Sequence, residues 1–421
     1  MTSTALSIAF WIAVLLLGYL YAGYPLVAWL RARVCPRWHR SEPIAPLVTI
    51  VVVAHNEAET IAGRIRNLVA LDYPADCLDI VIASDGSTDA TVARARSQAD
   101  SRVAVRSFPS RRGKAAVLND VIPSVRGEIV VLADARQRFE RASVKALVSN
   151  FADSTVGAVS GELVLSAGTT STGDGIGFYW RYEKFIRRYE SRTDSTVGAT
   201  GAIYAIRRPL FDPIPPDTIL DDVLIPLRIV RRGYRVLFDA RARALDGPSA
   251  TGRQEFVRKT RTIAGAFQLF CRERWLLNPL RNRIWFETLS HKGLRLTAPL
   301  LHTAVLVCSL GLVEVPGYRL MLLGQCAFYA AAIAGWASDR LRYARTRPRA
   351  ASPEPGAPSP GHRAPSYLRL LTVPYAICLT NWATIVAFAR FVTGNQHVTW
   401  ERAAPSSLRV LPSAMWRSSR S

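Results

Sequence analysis

The chain has 421 residues, 49% of them hydrophobic, and a formal net charge of +22. This length can hold one sizeable domain together with further segments. A net charge this positive suggests binding to a nucleic acid or to an anionic membrane surface. The sequence contains no zinc-finger spacing, basic zipper or aromatic RNA-binding motif, so we expect no nucleic-acid partner. Because the apolar residues are clustered in long runs, we expect the charge to face a lipid bilayer and a polyanionic substrate.

The first of these apolar runs spans residues 5–30 and contains no charged residue. It exceeds the ~20 residues that a transmembrane helix needs. No Lys or Arg precedes it, so the basic start of a secretory signal peptide is missing. The arginines that follow it directly are Arg31, Arg33, Arg37 and Arg40. By the positive-inside rule, residues 5–30 are predicted to be a transmembrane anchor with the following chain in the cytoplasm.

From residue 46 the pattern changes to apolar strands that alternate with helices. The predicted strands are 48–54, 78–83, 103–108 and 128–133. Strands separated by single helices form βαβ units with parallel pairing and right-handed crossovers. The sequence therefore predicts an α/β domain over residues 46–245, with its first helix beginning at Glu57–Thr60.

The second half of this domain is less regular. A strand at 156–161 is expected to turn back through 162–165, and residues 168–175 read as a Gly/Ser/Thr loop. The pattern then predicts a helix over 178–191, a strand over 198–206, a helix opened by Asp221 and Asp222, and a strand over 234–238.

The remainder is predicted to associate with a membrane. Residues 246–293 are expected to form amphipathic basic helices at the membrane surface, and 294–336 a transmembrane hairpin. A disordered linker (337–366), a further transmembrane helix (367–391) and a tail (392–421) follow. Four spans would leave the basic tail outside, against the positive-inside rule. The alternative is that one of the four segments is re-entrant or interfacial.

Carboxylates cluster where the predicted strands end. They are Glu57, Asp85, Asp134 and the pair Asp221–Asp222. In open α/β sheets, ligands bind beyond the carboxyl ends of the strands. Several carboxylates at one such edge suit a nucleotide diphosphate bound through a hard divalent cation, with one carboxylate left as a base. Lys114 enters a helix from a glycine loop, which is typical of a phosphate site, although a solvated loop lysine is the plain alternative.

Several short motifs occur in a characteristic order. They are Val-Val-Val-Ala-His-Asn-Glu at 51–57, Ser-Asp-Gly-Ser-Thr-Asp at 84–89, Arg-Gly-Lys-Ala at 112–115, Ala-Asp-Ala at 133–135 and Asp-Asp at 221–222. This series resembles the inverting family 2 glycosyltransferases of GT-A fold. The resemblance is to their membrane-anchored group, which includes cellulose, hyaluronan and chitin-oligosaccharide synthases, and it covers residues 48–268. It implies a Rossmann-like GT-A domain with a parallel-type sheet, flanked by transmembrane helices.

The resemblance also implies a nucleotide-sugar donor, here a UDP-sugar. Asp85 would hold the uracil, with Asn56 and Glu57 near the ribose or base. Lys114 and Arg261 would contact the diphosphate.

The resemblance assigns the chemistry to later residues. Asp134 matches the first aspartate of the Asp-x-Asp motif, which handles the sugar, the diphosphate and the metal. Asp222, beside Asp221, matches the general base that deprotonates the acceptor hydroxyl. The residues expected on the acceptor side are Gly198, Thr200 and Gly201.

Two departures from the family pattern qualify these expectations. Arg136 replaces the second aspartate of Asp-x-Asp, and an arginine cannot ligate Mg²⁺ or Mn²⁺. Either Asp134 and the diphosphate hold the cation with water, or Arg136 takes over part of the charge neutralisation. The processive synthases also carry a tryptophan that stacks on the acceptor sugar, and Thr262 stands in its place.

The resulting prediction is a multi-pass enzyme of the plasma (inner) membrane with a cytoplasmic catalytic domain. It would transfer a hexose to a glycan or lipid-linked acceptor in cell-envelope or exopolysaccharide biosynthesis, where partner proteins are conceivable. A processive synthase, a nucleotidyltransferase and a non-catalytic membrane partner are the alternatives.

Overall fold

The computed structural model describes residues 2–165, 171–246, 252–346 and 366–396. Its helices are Thr2–Gly18 (α1), Tyr24–Val34 (α2), Ile61–Val69 (α3), Thr91–Arg96 (α4), Lys114–Val121 (α5), Ser143–Ser149 (α6), Ser171–Thr193 (α7), Asp221–Arg231 (α8), Gly252–Arg272 (α9), Trp285–Glu287 (α10), Ala298–Gly311 (α11), Pro316–Thr346 (α12) and Ser366–Val392 (α13). Its strands are Val48–Ala54 (β1), Leu78–Asp85 (β2), Val103–Phe108 (β3), Ile129–Asp134 (β4), Arg138–Phe139 (β5), Val156–Leu165 (β6), Tyr204–Arg207 (β7) and Arg235–Asp246 (β8).

These strands form one eight-stranded sheet in the order β3-β2-β1-β4-β7-β6-β8-β5. The first four pair in parallel, as the alternating pattern predicts. Strand β7 runs antiparallel to both β4 and β6, while β8 is parallel to β6. The parallel half ends its strands at a common edge, which confirms the predicted α/β fold.

Helices cover both faces of the sheet, so the central strands are buried on each side. Side chains of β1 alternate between two apolar clusters: Ile50 and Val52 face the helices α3 and α6, whereas Val51 faces α5 and α8. Continuous apolar runs are typical of such doubly covered parallel strands. This burial fixes the register that brings the strand-end carboxylates to one edge.

Several element boundaries differ from the predictions for physical reasons. Helix α3 begins at Ile61, because the main chain before it is folded into a turn in which the N–H groups of Thr60 and Ile61 both donate to the Glu57 carbonyl. Strand β6 does not turn back at Gly161 but continues to Leu165 through a register shift against β8. A side chain at Gly161 would lie 2.5 Å from the Ala242 carbonyl oxygen, so this glycine permits close strand approach.

Other predicted boundaries are also corrected. Residues 198–203 are a turn, and only Tyr204–Arg207 forms the strand. Strand β8 runs on to Asp246 instead of ending at 238. Helix α7 already begins at Ser171, within the expected loop, whose first residues 168–170 lie outside the described part of the chain. Helix α12 extends to Thr346, into the predicted linker, and residues 347–365 and 397–421 are outside the described ranges.

Four helical segments are long and apolar enough to cross a membrane, judged by length and composition alone. They are Ser3–Val34, Trp285–Gly311, Pro316–Ser338 and Thr372–Val392. Their positions coincide with the predicted apolar spans. That they lie in a membrane, and the side on which each ends, stays a prediction.

The apolar helices contact the sheet domain through α7 and α9. Helix α7 packs against α2 and α13, and α9 packs against α13. A buried polar cluster joins them: the Tyr24 hydroxyl donates to Glu190 Oε1 at 2.5 Å, and His291 contacts both Glu190 (2.8 Å) and Glu183 (3.1 Å). The sheet domain and the apolar helices therefore share one continuous set of contacts.

Candidate active site

Asp85, the last residue of β2, organises the edge of the sheet where the predicted site residues meet. Its carboxylate is buried and accepts hydrogen bonds from the main-chain N–H groups of Arg112 (2.7 Å) and Gly113 (2.8 Å). Next to it Gly86 has φ 60°, and a side chain there would collide with the main chain of Arg111. Asp85 thus holds the loop that leads into α5. Its predicted contact with uracil stays a prediction and would need the remaining lone pairs of the same oxygens.

Asn56 and Glu57 fix the neighbouring turn after β1. Asn56 adopts a left-handed φ of 53°, and its Oδ1 accepts from the N–H of Thr88 at 2.9 Å. Glu57 is buried, its N–H donates to Thr91 Oγ1 at 2.8 Å, and its Oε2 accepts from the Thr60 hydroxyl at 2.7 Å. Both residues tie the loop after β1 to the loop after β2, so they shape the predicted nucleotide pocket.

Lys114 lies between the carboxylates that the sequence singles out. Its Nζ is 3.1 Å from Asp134 Oδ1 and 3.2 Å from Asp221 Oδ2. Burial alone would lower the pKa of this ammonium, but Asp134, Asp221 and Asp222 outweigh burial and raise its pKa. The lysine is therefore cationic at neutral pH. The alternative of a solvated loop lysine does not hold, because its side chain is only 27% exposed.

Asp222 begins α8 together with Asp221, as predicted, and its carboxylate is held in place. Its Oδ2 accepts a hydrogen bond from the N–H of Gly201 at 2.8 Å, and its carbonyl accepts from the N–H of Ala199 at 2.7 Å. Burial and then the charge of Asp221 raise the pKa of Asp222 to about 6, while Lys114 opposes the rise. A carboxylate with a pKa nearer neutrality accepts a proton more readily, which suits a general base.

The predicted acceptor-side residues form the turn that lies over α8. Gly198 has φ 87°, and a side chain there would come within 3.0 Å of Val223. The N–H of Thr200 donates to Ser160 Oγ at 3.1 Å, which fixes the turn to β6. This turn places the N–H of Gly201 on Asp222, so the glycines are needed for the approach of the two main chains.

Arg261 and Tyr204 complete the surroundings of the carboxylates. Arg261, on α9, is close enough to Asp221 and Asp222 that their charges partly offset the effect of burial, which lowers its pKa. Burial and then Asp221, Asp222 and Asp134 raise the pKa of Tyr204. Its hydroxyl is fully buried and has no hydrogen-bond partner among the described residues. Sequence reasoning missed Tyr204, since it reads as an ordinary strand aromatic.

The described residues offer only part of a cation site. Among residues 2–165, 171–246, 252–346 and 366–396, no group of three or more His, Cys, Asp or Glu side chains could hold a metal ion. Arg136 turns away to Asp246, with its guanidinium 3.1 Å from Oδ2. Asp134 is 43% exposed at its side chain and pairs with Lys114. It can serve as one cation ligand, provided that phosphate oxygens of a bound donor supply the others.

The structure therefore gathers most of the predicted site residues. Asp134, Lys114, Asp221 and Asp222 form one cluster, with Arg261 and Gly201 beside it. Asn56, Glu57 and Asp85 form the adjoining loop cluster at the ends of β1 and β2.

Part of the chain is similar to known proteins. Residues 49–214 match the family described as "Glycosyl transferase family 2". The chain is 22% identical to the mannosyltransferase PcManGT from Pyrobaculum calidifontis, solved with GDP-Man and Mn²⁺, covering 91% of this chain and 99% of that one with a TM-score of 0.66. This likeness shows a shared fold. Residues 49–214 thus match a family 2 glycosyltransferase domain, and the sheet domain has the Rossmann-like α/β architecture of the GT-A fold.

Two curated relatives are similar over shorter stretches. "Probable glycosyltransferase YdaM" of Bacillus subtilis is 27% identical over 48% of this chain and 51% of its own length. The "Beta-monoglucosyldiacylglycerol synthase" of Nostoc sp. is 36% identical over 27% of this chain and 25% of its own length. The chain thus matches about half the length of the first relative and about a quarter of the second.

Proposed function

We propose that the protein is a membrane-bound inverting glycosyltransferase that transfers a sugar from a nucleotide-sugar, a UDP-sugar in our prediction, to a glycan or lipid-linked acceptor. The proposal is carried by one observation: Lys114, Asp134, Asp221 and Asp222 converge at the carboxyl edge of a GT-A sheet, and Asp222 has a raised pKa. The relative named for the synthesis of a glucosylated diacylglycerol adds support for a lipid acceptor. We place this reaction at the cytoplasmic face of the plasma membrane.

In this mechanism Asp222 removes the proton from the acceptor hydroxyl. The acceptor oxygen then attacks the anomeric carbon from the face opposite the diphosphate, and the bond to the diphosphate oxygen breaks with inversion. The hydrogen bond from Gly201 keeps the carboxylate of Asp222 aimed at the acceptor. A positioned base contributes typically about 10²–10⁴-fold to the rate.

Lys114 supports departure of the diphosphate. Its ammonium is already held by Asp134 and Asp221, so it needs little reorganisation when the leaving group gains charge. Asp134 would hold a divalent cation jointly with the donor, and the cation would supply further charge neutralisation. Asn56, Glu57 and Asp85 would bind the nucleoside, and Arg261 a phosphate oxygen.

The test is sugar-nucleotide turnover by the purified full chain in detergent. UDP-, GDP- and dTDP-sugars are offered with Mg²⁺, Mn²⁺ or EDTA, and nucleotide diphosphate release is followed with membrane lipids as acceptors. Release from one donor, with a product carrying one or a few sugars, is the expected result. A long polymer would instead support a processive synthase, and the absence of release with every donor would support the non-catalytic alternative.

A further inference from the structure

A buried hydrogen-bond cluster lies where the candidate spans Ser3–Val34 and Trp285–Gly311 meet helix α7. At its centre is the carboxylate of Glu190, which is fully buried. Its Oε1 accepts a hydrogen bond from the Tyr24 hydroxyl at 2.5 Å and lies 2.8 Å from Nδ1 of His291. The other ring nitrogen of His291 lies 3.1 Å from Glu183, which fixes the imidazole from its far side. One oxygen of Glu190 is thus held by a residue from each candidate span.

The other oxygen of Glu190 holds the chain that enters the acceptor-side turn, residues 198–203. Glu190 Oε2 accepts a hydrogen bond from the N–H of Val197 at 3.3 Å. Val197 is buried and stands directly before Gly198, whose left-handed φ of 87° begins the turn. In the same turn, the N–H of Gly201 donates to Asp222 Oδ2 at 2.8 Å. A single carboxylate therefore lies between the candidate spans and the turn that orients the proposed base.

The chain before the turn is held on its other side by the sheet. The N–H of Thr196 donates to the carbonyl of Val236 in β8 at 2.9 Å, and the Thr196 hydroxyl donates to the carbonyl of Gly198 at 2.7 Å. Hydrogen bonds are directional, whereas apolar contacts are not. Because the sheet holds Thr196 and Glu190 holds Val197, the main chain has a fixed course into the turn.

Both candidate spans depart from regular α-helix where they reach Glu190. The segments Tyr19–Gly23 and Thr288–Gly293 are π-helical. Tyr24 directly follows the first of these segments, and His291 lies within the second. π-Helical turns are rare and occur frequently at functional sites. Their presence in both spans beside one carboxylate indicates that this cluster does more than join helices.

Helix packing alone does not require such a cluster. Burying a carboxylate is costly even when it is paired, and apolar side chains of similar volume often join helices equally well. Ionisable residues within apolar spans are functional candidates by default. The contacts of Glu190 offer one such function, which is to fix the acceptor-side turn relative to the apolar helices.

We propose that Glu190 is a positioning residue for the sugar transfer. It couples the candidate spans, through Tyr24 and His291, to the turn whose Gly201 N–H orients Asp222. Glu190 acts through the main chain of residues 197–201 and takes no part in the proton transfer itself. This inference rests on the proposed function, in which Asp222 is the base, and it gives the apolar helices a part in arranging the active site.

Hydrogen–deuterium exchange of the full chain in a neutral detergent tests this coupling without relying on activity. The variant Tyr24→Phe removes one hydrogen bond to Glu190 and keeps the aromatic ring. We expect main-chain exchange over residues 195–203 to accelerate by about threefold or more, while exchange in β1 stays within about twofold. Tyr19→Phe is the matched control, because the Tyr19 hydroxyl bonds Ser290 Oγ at 2.8 Å between the same two spans. It should change exchange over 195–203 by less than about twofold.

The variant Glu190→Gln alters the centre of the cluster. Gln has one acceptor oxygen, so it cannot accept from Val197 on one side and from Tyr24 on the other. Exchange over residues 195–203 should accelerate by about tenfold or more, and kcat for nucleotide diphosphate release should fall by about tenfold or more.

Donor affinity separates positioning from a general structural role. It should stay within about threefold in Glu190→Gln, because the predicted nucleoside contacts of Asn56, Glu57 and Asp85 lie at the ends of β1 and β2. In Tyr24→Phe, kcat should fall by about threefold with donor affinity unchanged. A general loss of folded structure would instead lower kcat and donor affinity together.

Unchanged exchange over residues 195–203 in both Tyr24→Phe and Glu190→Gln would overturn the proposal, and so would an equal effect of Tyr19→Phe. Acceleration spread over β1 to β4 would show that Glu190 supports the fold as a whole, which would also overturn it. Release by the unmodified protein that Glu190→Gln does not slow removes this inference and leaves the proposed function standing. The absence of release from every donor removes the proposed function, and the positioning role falls with it.

Discussion

The main-chain N–H of Gly201 donates a hydrogen bond of 2.8 Å to Oδ2 of Asp222. This contact joins the turn after α7 to the start of α8, 21 residues further along the chain. In the proposed mechanism the other carboxylate oxygen accepts the proton of the acceptor hydroxyl, and the charges of Asp221 and Lys114 shift the pKa of Asp222 in opposite directions. The pH dependence of the reaction should report this environment.

The rate of nucleotide diphosphate release should rise with pH through an apparent pKa of about 6, because Asp222 must be ionised to accept a proton and its pKa is raised to about 6. Lys114 lowers the pKa of Asp222, so Lys114→Gln should move the rising limb of the pH–rate profile to higher pH and slow the release of nucleotide diphosphate. A pH–rate profile measures both effects. Lys145→Gln, at an exposed lysine paired with Asp72, should not move the limb; an unmoved limb in Lys114→Gln would contradict the assignment.

The same pKa shift bears on stability. The native state holds a proton on Asp222 up to about pH 6, whereas an unfolded aspartate, with its ordinary pKa of 3.8, loses the proton near pH 4. Asp222 therefore contributes fully to the free energy of unfolding below about pH 4, and this contribution is lost as the pH rises through about 6.

Asp85→Ala should destabilise the sheet domain by about 2–4 kcal/mol, because it leaves the N–H groups of Arg112 and Gly113 without their charged acceptor. Asp79→Ala is the matched control on the same strand. It removes only a surface ion pair with Arg126, so it should cost about 1 kcal/mol or less. Denaturant unfolding of the two variants measures the difference, and equal losses would show that Asp85 does not organise the loop.

A pair of glycine substitutions tests the backbone at the site. Gly86→Ala forces an L side chain to φ 60° and into the main chain of Arg111, so it should destabilise by more than about 2 kcal/mol. Gly63→Ala lies within α3, where the nearest atom is Arg66 Nη2 at 4.0 Å. It should stabilise the protein by about 0.5–1 kcal/mol through helix propensity. Thermal unfolding that shows both changes with the same sign would refute this description.

Tyr204→Phe should leave stability unchanged or raise it by up to about 1 kcal/mol, because the removed hydroxyl is buried and has no hydrogen-bond partner among the described residues. The measurement is denaturant unfolding at neutral pH. Leu132→Ala, at the fully buried residue that pairs with Tyr204 across the sheet, provides the contrast and should cost about 2–5 kcal/mol. A loss above about 1 kcal/mol in Tyr204→Phe would show that the Tyr204 hydroxyl forms a stabilising hydrogen bond in the native protein.

The sequence predicts the parallel half of the sheet well, since β1, β2 and β4 are apolar runs that each end near a carboxylate. It also predicts the association of Lys114, Asp134 and Asp222, because strand ends in such a sheet meet at one edge. The prediction is wrong at Gly161, where the sequence suggests that the strand turns back. In the structure this glycine instead allows β8 to approach β6 closely.

The most direct test of the central claim compares the full chain with its Asp222→Asn variant. Donor affinity and nucleotide diphosphate release are measured on the same preparations. Because Asn keeps the shape of the side chain but cannot take a proton, donor affinity should stay within about threefold while release falls by about 10²–10⁴-fold. Release within about threefold of the unmodified protein would show that Asp222 is not the base, and would contradict the mechanism.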